Sequence, residues 1–140
     1  MYETLIEKIK TTLAGVAMVK EVFAYPAEKF NRLPAVVFYP SDFTNAYETN
    51  EENAKEYRFI LFAFVDLNNL SEQTAFEETL PRLADAIIAA FDTGWDYGTT
   101  VAGSRIRTLL NAGTWATQQT QNGKVAYVQL TLTIRTLTNN

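Results

Sequence analysis

The stretch EYRFILFAFVD, residues 56–66, decides how this chain folds. Read as an extended strand, it places Tyr57, Phe59, Leu61, Ala63 and Val65 on one side. Arg58, Ile60, Phe62 and Phe64 fall on the other, because successive strand side chains alternate between faces. From residue 59 onward both sides are apolar. A sheet with water on one face alternates apolar with polar residues instead. The stretch therefore predicts a central strand covered twice, by the chain's own helices on one face and by a neighbouring subunit on the other.

Upstream, Tyr2, Leu5, Ile6, Ile9, Leu13 and Val16 recur at helical spacing, with Glu3, Glu7, Lys8 and Lys10 opposite. This predicts a helix over residues 2–14, and Gly15 is placed to end it in a left-handed cap. KEVFAY (20–25) reads as a short strand stopped by Pro26, and AVVFY (35–39) as a second strand bounded by Pro34 and Pro40. The polar, acidic run SDFTNAYETNEENAK (41–55) is either a long loop or two strand extensions forming a projecting hairpin.

Downstream, Ser71 is a good N-cap, and Phe76, Leu80, Leu83, Ile87, Ile88 and Phe91 make a helical stripe over residues 72–91. Pro81 lies inside that stripe, which predicts a kink near residues 79–81 or two abutting helices. DTGWDYGTTVAG (92–103) reads as a loop displaying Trp95 and Tyr97. The chain closes with a hairpin: a strand from 104 to 118 with a bulge or bend at Gly113, a turn at Asn122-Gly123, and a return strand. That return strand sets Val128, Leu130, Leu132 and Ile134 against Gln129, Thr131, Thr133 and Arg135. The expectation is one α+β domain, residues 1–140. It has a single, mostly antiparallel sheet of about five strands in the sequence order αβββαββ, with both helices on one face.

A chain of 140 residues buries about 68–70% of its unfolded surface and needs no disulfide or metal to fold. It contains no Cys and no His, which excludes thiol nucleophiles, His-based acid–base catalysis and the usual zinc sites. Sixteen acids against twelve scattered bases argue against a grip on phosphates, although DNA could pass by without specific binding. No run approaches the ~20 apolar residues of a membrane span, and the N-terminus is not a signal peptide. The expected setting is soluble and cytoplasmic, with no membrane contact.

No catalytic constellation stands out in the sequence. Glu48, Glu51 and Glu52 cluster in a polar run, and Asp85 and Asp92 sit seven apart on or beside a helix, both patterns typical of solvated charge. The glycines of residues 92–103 are not followed by Gly-Lys-Ser/Thr, no calcium loop is present, and Ser41 and Ser104 lack a histidine and a Gly-x-Ser-x-Gly frame. The chain is expected to be no enzyme and to take no cofactor or metal. Its aromatics suggest an interface instead, with local packing under their own loops as the competing reading. The interface residues so identified are Tyr47, Glu48, Thr49, Glu51 and Glu52 on the polar run, Tyr57, Phe59, Phe62 and Phe64 on the central strand, and Trp95 and Tyr97 on the glycine loop.

The helix closed by Gly15, then KEVFAYP, FNRLPAVVFYPSD, YETNEENAKEYRF, an acidic-then-apolar helix and a final hairpin follow one another in an order that carries a resemblance. In that order the chain resembles the tail-terminator (tail-completion) proteins of long-tailed bacteriophages and prophages. The resemblance covers most of the chain, and LPAVVFYPSD and YETNEENAKEYRF carry it best. It implies a structural virion subunit, assembled in the bacterial host cytoplasm, that forms a homo-oligomeric ring, typically a hexamer, on the end of the tail tube. Such a ring stops tube polymerisation and offers a surface to the head connector, so the implied partners are further copies, the tail tube protein and a neck protein. The alternatives are another neck or head–tail joining protein, a small ligand- or peptide-binding module, and, least favoured, a carboxylate hydrolase.

Overall fold

The computed structural model describes residues 2–27, 29–47, 52–68, 70–94, 100–101, 104–120 and 123–139. Helix α1 (Tyr2–Ala14) leads into strand β1 (Glu21–Phe23), followed by β2 (Ala35–Tyr47) and β3 (Glu52–Asp66). A helical run of α2 (Glu72–Thr74), a π-helical turn (Ala75–Thr79) and α3 (Leu80–Gly94) comes next. Strands β4 (Thr100–Val101), β5 (Ser104–Thr120) and β6 (Gly123–Asn139) close the chain. All the strands join one sheet in the order β1-β2-β3-β6-β5-β4, antiparallel except for β1 against β2. The α+β class, the single mostly antiparallel sheet and the helices on one face agree with the sequence expectation. The sheet gains a sixth strand because β4 is two residues long, too short to show any periodicity.

The odd-numbered face of β3 makes the main core. Tyr57, Phe59, Leu61, Ala63 and Val65 pack with Ala126, Val128, Leu130, Leu132 and Ile134 of β6 under Leu5, Ile9 and Leu13 of α1 and Leu80, Leu83, Ile87 and Phe91 of α3. The register explains this: Tyr57 pairs with Ile134, Phe59 with Leu132 and Leu61 with Leu130, so apolar alternation in both strands falls on one face. Leu5, Ile9 and Leu13, four residues apart, are fully buried along one stripe of α1.

Two local expectations change and one is made specific. Gly15 is not left-handed: its N–H donates to Thr11 O at 3.1 Å and Val16 N–H donates to Leu13 O at 3.1 Å. The last turn of α1 thus tightens to three-residue bonding rather than ending in a cap. The irregularity expected near residues 79–81 takes the form of a π-helical turn, Ala75–Thr79, between two helices. The turn preceding Pro81 widens, and Leu80 N–H donates five residues back to Ala75 O, so the ladder is already offset where Pro81 has no N–H to give. Strand β2 does not stop at Pro40. β1 pairs only with Ala35, Val36 and Val37, so Pro40 lies beyond it on a free edge, where the missing N–H is tolerated; the register then shifts before Asp42.

Other readings hold. Ser71 Oγ accepts the Thr74 N–H at 3.1 Å, capping α2. The register of β5 against β6 shifts between Ala112 and Trp115, around Gly113, where a Cβ would meet Gln129 O at 2.8 Å. Gly123 carries the positive φ, 103°, of the β5–β6 turn. Of the two readings of residues 41–55, the strand extensions are observed. They do not leave the sheet, since β3 stays paired with β6 out to Glu52↔Asn139.

Candidate assembly surface

The even-numbered face of β3 was expected to be bare and to wait for a neighbour. It is partly covered by the chain itself. Residues 24–27 and 29–34 cross over it, and Phe30, only 2% exposed, packs on Phe64 with ring centroids 4.9 Å apart. Ala35, Val37 and Val125 complete this small second core, with Phe23, Ala27 and Leu33 against it. The crossing segment is tied near its C-terminal end: Lys20 N–H donates to Pro34 O at 2.8 Å, and Arg32 N–H donates to the Glu21 carboxylate. Burying Phe30 against the sheet, with Ala27 and Leu33 beside it, holds the loop in place.

Past this cover the aromatic surface continues. Tyr39 and Phe62 stack at 6.3 Å, Phe62 and Phe64 at 6.1 Å, and Tyr127 closes on Phe62 at 5.6 Å and Phe64 at 5.7 Å. Tyr39, Phe62 and Tyr127 are only half-buried. Tyr39 and Phe62, with Pro26, Ala27, Phe64 and Gln118, border a shallow cleft of ≈ 190 Å³ between the loop and the sheet. Farther along, the same face turns polar: Gln129, Thr131 and Thr133 of β6 are half-buried, and Arg58 pairs with Glu56 at 2.9 Å. On the outer strand Leu109, 60% exposed, sits opposite Thr133 on this face, whereas Trp115, 41% exposed, shares the face of its partner Val128.

The residues singled out from sequence therefore separate. Tyr57 and Phe59 are interior to the helix-side core, 6% and 0% exposed, and cannot meet a partner; odd register on β3 puts them under the helices. Phe64 is buried by Phe30, and Phe62 alone of the central-strand group keeps accessible ring surface. Tyr47 and Glu52 mark the ends of β2 and β3 at the sheet's far end. Glu48, Thr49, Glu51, Trp95 and Tyr97 lie outside the described residues. Asp85 and Asp92 are exposed on α3. Sequence reading missed Phe30, Leu33, Tyr39 and Tyr127 as members of the second face. The available signal was the group Phe23, Phe30 and Leu33, apolar residues that fit neither the helical stripes nor a one-sided strand.

Among the described residues, no cluster of His, Cys, Asp or Glu could hold a metal ion, and no helix is long and apolar enough to cross a membrane. No family model and no curated protein matches the chain. Among solved structures, the chain is similar to one described as "Virion of native gene transfer agent (GTA) particle", with a TM-score of 0.56 and 13% identity, covering 99% of this chain and 97% of that one. At that identity the likeness is one of fold, and it runs end to end.

Proposed function

We propose that the chain is a structural subunit of a phage-like virion, and that it acts as the tail terminator: a homo-oligomeric ring, of six copies, seated on the finished end of the tail tube. The observation that carries the reading is the end-to-end fold likeness to a chain of a gene transfer agent virion. The order of motifs seen in the sequence supports the finer assignment, and so does the shape of the sheet. Strand β3 has 15 residues and α1 has 13. At about 3.3 Å per strand residue and 1.5 Å per helical residue, the sheet is roughly 50 Å long, α1 about 20 Å and the helical run from Glu72 to Gly94 about 35 Å. A sheet that outruns its helical layer leaves strand surface for neighbouring subunits, and contacts between unlike surfaces close into a ring when the rotation allows. The ring would cap the tube protein on one side and receive the head connector on the other, with DNA passing through without specific binding.

Deleting the gene in a strain that produces particles, and imaging the tails, tests this. Overlong or ragged tails that fail to join heads support the terminator role. Tails of normal length that remain unjoined point to another neck or head–tail joining protein. Normal, joined tails would sink both.

A further inference from the structure

Between Lys8 and Arg32 the sequence holds five bases and two acids, while the rest of the chain holds seven bases and fourteen acids. The fold gathers three of those five bases around one cleft. Lys10 and Ala14 of α1, Val19 and Lys20 just before β1, Glu21 and Val22 of β1, and Arg32 of the crossing loop line a space of ≈ 420 Å³. Glu21 is the single acid among the described residues that line it, and that carboxylate already accepts the Arg32 N–H. Lys10 is 3.6 Å from exposed Glu7, whereas no ion pair among the described residues reaches Lys20 or Arg32. Among the described residues β1 is the end strand of the sheet, so the cleft lies along that edge.

We infer that this basic cleft receives the acidic segment joining β2 to β3 of a second copy of the chain, with Glu48, Glu51 and Glu52 facing Lys10, Lys20 and Arg32. From residue 41 to 54 the sequence has four acids and no base, the strongest complement to the cleft that the chain offers. The acids at Glu72 and Glu77 are already engaged, by Lys124 and by Gln73. The contact runs between copies for a geometric reason. β1 pairs with the start of β2, up to Phe23↔Val37, and Tyr47 lies ten residues farther along the strand. Ten strand residues span roughly 33 Å, too far for a chain's own segment to double back. Made in one direction only, a contact joining opposite ends of neighbouring subunits is heterologous, the kind that generates rings when the rotation closes. The inference rests on the ring-forming role proposed above for that use of the contact.

The chain has no cysteine, so single thiols can be placed cleanly. An Ala14→Cys protein is mixed with an Asn50→Cys protein under mild oxidation, with Ala89→Cys on the exposed side of α3 replacing Ala14→Cys as the control. Disulfide dimers should form ~10-fold faster than in the control at low salt, with the advantage shrinking as salt rises. Lys10→Glu, Lys20→Glu and Arg32→Glu together in the Ala14→Cys partner should bring the rate down to the control. Glu48→Lys, Glu51→Lys and Glu52→Lys in the Asn50→Cys partner should then restore it, which also shows that the reversed cleft is folded. Equal rates at both positions, or trapping indifferent to charge reversal, overturn the inference. Trapping abolished by a short DNA duplex but not by charge reversal of the acidic segment assigns the cleft to nucleic acid and overturns it too. Trapped dimers beside normal tails would keep this contact and remove the terminator role; overlong tails without trapped dimers would do the reverse.

Discussion

The two faces of β3 are built from the same strand and reach burial by different means. On the odd face, Phe59, Leu61, Ala63 and Val65 are fully buried beneath α1 and α3, and apolar residues of β6 flank them at matching register. On the even face, Phe64 is closed off by one ring of a crossing loop, Phe62 is half-covered, and Arg58 is paired with Glu56. A helix brings a row of side chains at i, i+4 and i+8 and covers a strand along its length. A loop brings one anchor. A strand apolar on both sides thus states that both faces are covered somewhere, and the identity of each cover comes from other parts of the chain.

The largest separation between the faces should appear on truncating each at its centre. Phe59→Ala removes a ring that is 0% exposed and enclosed by two helices and β6. It should cost ~4–5 kcal/mol in urea-induced unfolding, the upper range for buried aromatic truncation. A loss below about 2 kcal/mol would mean that the helical layer collapses onto the sheet and that the odd face is not the rigid one.

Much of this was legible in the sequence. The stripe Leu5–Ile9–Leu13 and the alternation of residues 128–134 specify which surfaces meet, because burying one face fixes the register. The β5–β6 turn and the Gly113 bulge follow from glycine's freedom at positive φ and at close backbone approach. The crossing loop was not legible as a cover, since Phe23, Phe30 and Leu33 are apolar but share neither a helical nor a strand period. The same holds for Tyr57 and Phe59 as supposed contact residues: aromatic content marks a strand as valuable, but only the pairing tells which face each ring takes. The basic cleft was hidden for a related reason, as Lys10, Lys20 and Arg32 are scattered in sequence and converge only through the α1–β1 packing.

The loop-covered face should respond differently. Phe30→Ala should cost about 2–3 kcal/mol, less than Phe59→Ala, because a loop can relax into the space the ring leaves. Amide exchange should accelerate across residues 24–33 while β3 and β6 stay protected. If exchange rises equally in the loop and in the strands, the second core and the first form a single cooperative unit, and the distinction between the faces fails.

The smallest effect on folding, and the most informative about assembly, is expected at Phe62. Its ring lies past the cover, stacked on Tyr39 and Phe64 and bordering the open cleft. Phe62→Thr keeps a residue suited to a strand and removes surface that is only half-buried, so stability should fall by no more than ~1 kcal/mol. When the variant competes with the unaltered chain during particle assembly, its share of incorporated copies should drop well below its share of the pool. A stability loss approaching that of Phe59→Ala would make the even face an interior already complete within one chain. Unchanged incorporation would instead leave its aromatic surface without a part in assembly, and contact between copies would then rest on the strand ends and the β1 edge.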